Sequence, residues 1–254
     1  MPDPSAVPAH GDMSAVTISR QYGCGGGEIA KRLAGRLSWT LIDHQIVANV
    51  AEQLGISPDE ARARDEHGAS FVSRVLDALL TTTPEVPVTP DSMPSTPGAI
   101  YHEAVSRVIE EALRTRHVVI VGRGGQALLQ DRRDVLHVRV VAPLAQRVAY
   151  VTQREGLSAA EARARIHSRE QDRARYLQAH YRRGPDDALL YDLTINTQVI
   201  SLDGAVDLLL LALEQKASRL GLPESALGPG AGLERYRGEP GNIMPPVAPE
   251  SANR

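Results

Sequence analysis

Apolar residues along the chain recur in two alternating rhythms. AVTIS (15–19) is a short β-rich run that ends at a glycine cluster, and Ile29, Leu33 and Leu37 then fall on one helix face. LID (41–43) predicts a second short strand leading into HQIVANVAEQLG, with Gly55 placed to cap the helix end. SPDEARARDEHG (57–68) and the run from Phe71 to Leu80 read as two more helices. Ala99 to Arg116 predicts a long helix feeding the apolar strand HVVIVG (117–122), and VLHVRVVA (135–142) reads as another strand. PLAQRVAYVTQRE opens with a proline suited to a first helical turn, and Ser158 with Glu161 makes a capping box that starts a long arginine-rich helix. LTINT (193–197) is the last strand, and DGAVDLLLLALEQKASRLG the closing helix. Alternation of apolar strands with helices predicts an α/β domain whose parallel sheet is covered on both faces.

Composition narrows this picture. The 254 residues are 42% hydrophobic and 23% charged, which suits one globular domain with tails or two small domains. Aromatic residues make up only 4%, so the core is built from Leu, Ile, Val and Ala. A formal net charge of −3 provides no global basic field, which argues against wholesale nucleic-acid binding. The single cysteine, Cys24, excludes an internal disulfide and points to a reducing compartment. Residues 1–13 are rich in Pro, Ala and Asp and read as a disordered leader, without the basic start and apolar stretch of a signal peptide. No apolar run approaches the roughly 20 residues that span a bilayer, so no membrane partner is expected and the protein is placed in the cytoplasm. The Pro/Gly-rich stretch from about Gly221 to 254 reads as a disordered tail, and TTTPEVPVTPDSMPSTPG (81–98) as a flexible loop. The domain proper is expected over 14–220.

The first candidate for chemistry is SRQYGCGGGEIAKRLA (19–34), which joins the first strand to a helix. Gly23, Cys24, Gly25, Gly26, Gly27 and Glu28 stand where an open α/β sheet holds phosphate. There, backbone N–H groups curl around an anion at the positive end of a helix. The full GxxxxGK[ST] pattern is absent: Arg20 falls at the first-glycine position, Gly26 at the lysine and Gly27 at the Mg²⁺-binding Ser/Thr, with Glu28 directly after it. Taken alone, the stretch is equally a tight turn. Cys24 has no identifiable base beside it, so fit in a small space is favoured over nucleophilic catalysis.

Four segments in order carry a resemblance: VTISRQYGCGGGEIAKRLA (16–34) followed by a strand ending at Asp43, then VVIVGRGG (118–125), DVLHVRVVAPLAQRVAYVTQREGLS (134–158) and YDLTINT (191–197). Together they are similar to the cytidylate kinase-like family over roughly residues 14–215. The resemblance implies a P-loop, nucleoside-monophosphate-kinase fold: a three-layer parallel-sheet domain with a helical flap and an arginine-bearing lid, about 158–183. It implies ATP with Mg²⁺ as phosphoryl donor and a small nucleotide, CMP or dCMP, as acceptor. Asp43 and Arg123 match acceptor-binding positions. Asp43 reads otherwise as a helix N-cap, whereas Arg123 follows a buried strand at the carboxyl edge of the sheet. True cytidylate kinases have lysine where this chain has Gly26, and aspartate where it has Gly124.

Arg165, Arg169 and Arg173 lie four apart and share one helix stripe, flanked by Asp172 and Tyr176 with Arg175 near its seam. The resemblance makes Arg169 and Arg173 catalytic candidates that clamp transferring phosphate, with Arg20 supplying the charge that the lysine usually carries. The plain alternative is a solvated face whose arginines pair with Glu161, Glu170 and Asp172. Glu28 reads as either a metal ligand or a favourable charge at a helix start, the second being preferred. Metal ligands are otherwise not identified by the sequence. Two further functions fit the same residues: a nucleotide-binding regulatory protein with little catalysis, and a kinase with a non-nucleotide acceptor.

Overall fold

The computed structural model describes residues 11–43 and 97–228. Its sheet comprises β1 (Ala15–Arg20), β2 (Thr40–Ile42), β3 (Val118–Val121), β4 (Val135–Val141) and β5 (Leu193–Asn196). The order is β2-β3-β1-β4-β5 and every neighbouring pair is parallel. The described helices are α1 (Gly26–Leu37), α2 (Pro97–Thr115), α3 (Gly125–Leu128), α4 (Leu144–Glu155), α5 (Ala159–Tyr181) and α6 (Leu202–Ala217).

The two-residue period of the strands divides the core. Val16 and Ile18 of β1, Val119 and Val121 of β3, and Leu136, Val138 and Val140 of β4 pack with Ile29 and Leu33 of α1 and with Leu209 and Leu213 of α6. The alternate positions Ala15, Val118, Ile120 and Val135 pack with Val105, Val108, Ile109 and Ala112 of α2. Each such Val, Leu or Ile taken fully out of water contributes roughly 1.5–3 kcal/mol, so both faces hold the sheet between helices. The result is the three-layer parallel α/β domain predicted from the pattern.

One face of the sheet turns polar toward its carboxyl end. Thr17, Ser19, His137 and Arg139 are all buried there. His137 Nε2 donates to the Leu129 carbonyl at 3.2 Å, which leaves Nδ1 to accept from Thr17 Oγ1 at 2.8 Å. Burial, aided by Lys216, pushes the His137 pKa down to about 4, so the imidazole is neutral. Arg139 donates to Ser19 Oγ at 3.1 Å and to Asp186 at 2.8 Å.

Element boundaries follow local chemistry. Both halves of the capping box at α5 form: Ser158 N–H donates to Glu161 Oε2 at 2.8 Å, and Glu161 N–H to Ser158 Oγ at 3.3 Å. Pro143 sits one position earlier than its sequence suggests, as the N-cap of α4. Met13, the last residue of the expected leader, is fully buried in the core beside β1. Pro97 and Gly98, the end of the expected 81–98 loop, already belong to α2. The remainder of that loop, the three helices read between His44 and Leu80, and residues 229–254 of the expected tail lie outside the described residues. The chain divides into a unit up to Leu220 and a second from Gly221, in whose described part Glu224–Ala226 form a 3₁₀ turn. No helix among the described residues is long and apolar enough to cross a membrane.

Candidate active site

Parallel strands bring the ends of β1, β3 and β4 to one edge of the sheet, and the chain between β1 and α1 opens there into a glycine loop. Gly25 is the N-cap of α1, and no side chain caps that helix. The loop and the start of α1 border an open space of about 260 Å³, lined by Gly23, Gly25, Gly26 and Gly27 with Tyr22, Tyr150 and Arg154. Cys24 points the other way. Its buried thiol donates to the Val140 carbonyl at 3.3 Å, and burial raises its pKa, so the side chain is an inert core group outside the pocket. Glu28 also turns from the loop. It pairs with Arg32 at 3.0 Å, and Arg32 reaches Asp203 at 2.8 Å, which ties α1 to α6. The carboxylate acts as an ion-pair partner in the first helical turn, and it is not presented to a metal at the loop.

Arg20 is placed by two glycines. A Cβ on Gly26 would stand 2.7 Å from Arg20 Cβ, and one on Gly122 would collide with the Arg20 guanidinium. The side chain thus starts against the loop and ends against the turn after β3. Burial, reinforced by the charges of Arg173 and Arg123, pushes its pKa down to about 9, while Asp43 and Cys24 act in the opposite sense. Arginine remains charged near neutrality, so the shift expresses first the cost of burying a guanidinium and then its repulsion from two other guanidinia. Among the described residues the Arg20 guanidinium has no hydrogen-bond partner.

Beyond Arg20 lies a larger cleft of about 610 Å³. Its floor is the turn after β3, where Gly122, Arg123 and Gly124 have φ of 73°, 59° and 68°. This single left-handed turn is closed by Gly125 N–H donating to Gly122 O at 3.0 Å. Arg123 holds that conformation without being glycine, at a cost of order 1 kcal/mol, and its side chain lines the cleft. Gly124 cannot carry a side chain here, because a Cβ would lie 2.5 Å from Tyr181 Cε2. Aromatic rings from α5 occupy the space that an aspartate at 124 would need.

Helix α5 forms the opposite wall, and the arginine stripe read from the sequence divides along it. Arg165 turns to Glu155 at 2.6 Å. Arg169 lines the cleft with Asp172 and Tyr176. Arg173 reaches deepest: Nη1 donates to the carbonyl of Arg20 at 2.9 Å, and its guanidinium lies 5.6 Å from the Tyr22 ring centroid. The acids that the plain reading pairs with this stripe are engaged elsewhere. Glu161 caps the helix, Glu170 binds the buried Arg147 at 2.7 Å, and Asp172 is 3.7 Å from Arg175. Arg20, Tyr22 and Arg173 line both the loop pocket and the cleft. Asp43 ends the run after β2 and acts on Arg20 through its charge, but it is not among the residues lining the cleft.

Several participants escaped the sequence reading. Tyr22 donates to Glu155 at 2.7 Å and stands between the two spaces. Arg147 joins α4 to α5 through Glu170, and to the loop through the Tyr22 carbonyl at 3.2 Å. Tyr150 and Arg154 line the loop pocket, with Arg154 donating to Tyr150 at 2.8 Å. His137 and Arg139 carried a usable signal, since two polar residues on one face of an otherwise apolar strand must have buried partners. Arg147 on a helix carried none.

The parallel sheet, its strand order and the glycine loop after the first strand define a P-loop-type kinase fold. Residues 15–199 match the cytidylate kinase-like family, and the chain belongs to that family. The cytidylate kinase of Ignicoccus hospitalis is 28% identical over 198 residues, covering 77% of this chain and 96% of that protein. A solved structure of an uncharacterized protein from Eubacterium ventriosum is 20% identical and aligns over 80% of this chain and 99% of that one, with a TM-score of 0.58. That second likeness is one of fold.

Proposed function

We propose that this chain is a phosphotransferase that moves a phosphoryl group from a nucleoside triphosphate to a nucleoside monophosphate, with CMP or dCMP as the first acceptors to test. The observation that carries the reading is the position of Arg20 and Arg173. Both line the glycine-loop pocket and the neighbouring cleft, and they repel each other in the absence of an anion. A triphosphate on the loop amides and a monophosphate on Arg123 would place the transferring group between these two guanidinia. Arginine forks suit phosphate oxygens, and charge developing in transfer is stabilised by such preorganised cations. Arg169 adds a further positive charge on the α5 wall.

The donor is taken as its magnesium complex, the metal serving as counter-ion to the triphosphate. The loop itself does not fit a magnesium ligand set. Gly26 and Gly27, at the positions of the lysine and of the ligating Ser/Thr, have no side chains, and the neighbouring Glu28 is held by Arg32. Charge neutralisation by this protein therefore rests on its arginines. Gly26 and Glu28 also favour one alternative, a nucleotide-binding regulatory protein with little catalysis. Turnover separates the readings: purified protein with ATP, Mg²⁺ and each of CMP, dCMP and UMP should yield a diphosphate from at least one acceptor. Nucleotide binding without transfer to any monophosphate would sink the kinase reading and leave the regulatory one.

A further inference from the structure

We infer that Gln126 reads the base of the bound acceptor, so that the cleft takes an anion joined to an uncharged heterocycle with a hydrogen-bonding edge. The inference rests on the acceptor cleft assigned above and concerns a residue with no part in phosphate binding. Gln126 belongs to α3 and lines the cleft, yet it is only 2% exposed. Its Oε1 is buried without a hydrogen-bond partner among the described residues. The buried polar groups of the strands beneath it are satisfied: Thr17 with His137, His137 with the Leu129 carbonyl, and Ser19 with Arg139. The Tyr181 hydroxyl on the α5 side is buried without a partner among the described residues as well, but it is not among the residues lining the cleft. An amide oxygen shielded from water without a partner destabilises the free protein, and at the cleft lining it is a group that a ligand can satisfy.

A ligand supplies what the protein lacks. No hydrogen bond among the described residues holds the carboxamide, and its terminal torsion is soft. It can therefore turn either its oxygen or its nitrogen toward a group in the cleft, and a carboxamide matches the paired donor and acceptor of a base edge. The guanidinia of Arg20, Arg123 and Arg173 serve the charged end of the acceptor and offer only donors, so an uncharged edge that donates needs a different partner. A buried polar group that would be left unpaired by the wrong ligand discriminates far more strongly than apolar contact does.

The test compares CMP, which has a base, with ribose 5-phosphate, which has only the sugar and the anion. Binding is measured by calorimetry on the full chain and on Gln126→Leu, with Gln126→Met as the second, less shape-changing variant. The expected result is a loss of CMP affinity of tenfold or more, with ribose 5-phosphate affinity changed less than twofold. Equal losses for both ligands would show a structural role and overturn the inference. Unchanged binding of both would overturn it while leaving the phosphotransferase reading intact. If the parent binds ribose 5-phosphate as tightly as CMP, the base is not read and the inference falls. A parent that binds neither ligand refutes both this inference and the acceptor assignment beneath it.

Discussion

A Cβ on Gly26 would stand 2.7 Å from the Cβ of Arg20, closer than two such carbons approach, so the residue at the lysine position and the arginine at the strand end constrain each other. Restoring a side chain at 26 is therefore harmful while Arg20 is present. Gly26→Ala should destabilise the parent by about 1–3 kcal/mol through overpacking. In an Arg20→Gly background the clash disappears, and the same change should stabilise by about 0.5–1 kcal/mol, because alanine suits a helix better than glycine. Urea unfolding of the four proteins checks the reversal of sign. Additive effects would show that the two positions do not interact.

Catalysis should depend on the cations that the two spaces share. Arg20→Ala and Arg173→Ala are each expected to lower turnover at least tenfold, since losing one contact to developing charge costs about 3 kcal/mol. Arg123→Ala should instead raise the acceptor KM more than it lowers kcat. Because Arg20 is buried against like charges, the free Arg20→Ala protein should melt no lower than the parent. Steady-state kinetics and thermal melting together test this pattern, and an Arg20→Ala enzyme with parental kcat contradicts it.

Gly124 has φ +68°, and a Cβ there would meet Tyr181 Cε2 at 2.5 Å. Gly124→Ala should cost about 2–4 kcal/mol, made up of left-handed backbone strain and overpacking. Shortening Tyr181 to leucine should remove the second part, leaving about 1–2 kcal/mol from the backbone alone. Chemical denaturation of the two single variants and the double variant separates these shares.

His137 gives the fold a pH dependence. Its pKa lies near 6.5 in the unfolded chain and is pushed down to about 4 by burial when folded. The unfolded state therefore binds the proton first as pH falls. The stability linked to this residue is complete above about pH 6.5 and is lost progressively down to about pH 4, amounting to about 3 kcal/mol. Asp192 faces His137 and favours the charged form, while Lys216 opposes it. Urea titrations between pH 7 and 4 should show this slope in the parent, and a His137→Gln protein should lose that share of it.

The fold was legible because its central strands are rich in apolar residues, on both faces in VVIV (118–121), and because Ser158 with Glu161 forms a cap that only a helix start uses. Edges were less so: LID reads as 41–43, while pairing with β3 sets the strand at Thr40–Ile42, since register depends on the neighbour. The site was half legible. Glycine spacing marked the loop, and the i,i+4 spacing of Glu28 and Arg32 permitted their ion pair, but nothing in the sequence said that Cys24 turns inward or that Arg32 also reaches Asp203. Those outcomes depend on β4 and α6, far along the chain. The arginine stripe was visible as a stripe, whereas its division among Glu155, the cleft and the Arg20 carbonyl depends on how α5 lies on the sheet edge.

The wedging of Arg20 between Gly26 and Gly122 bears on the entropy of binding. A lysine on a flexible loop loses up to about 2 kcal/mol of rotamer freedom when a phosphate immobilises it. Arg20 has already surrendered that freedom during folding, because the backbones of two glycines and the turn after β3 enclose its stem and head. Anion capture then orders little that was not already ordered, and the penalty appears as reduced stability of the unliganded domain. Such a protein should show a large rise in melting temperature on binding even a small phosphate compound, out of proportion to the number of contacts the ligand makes.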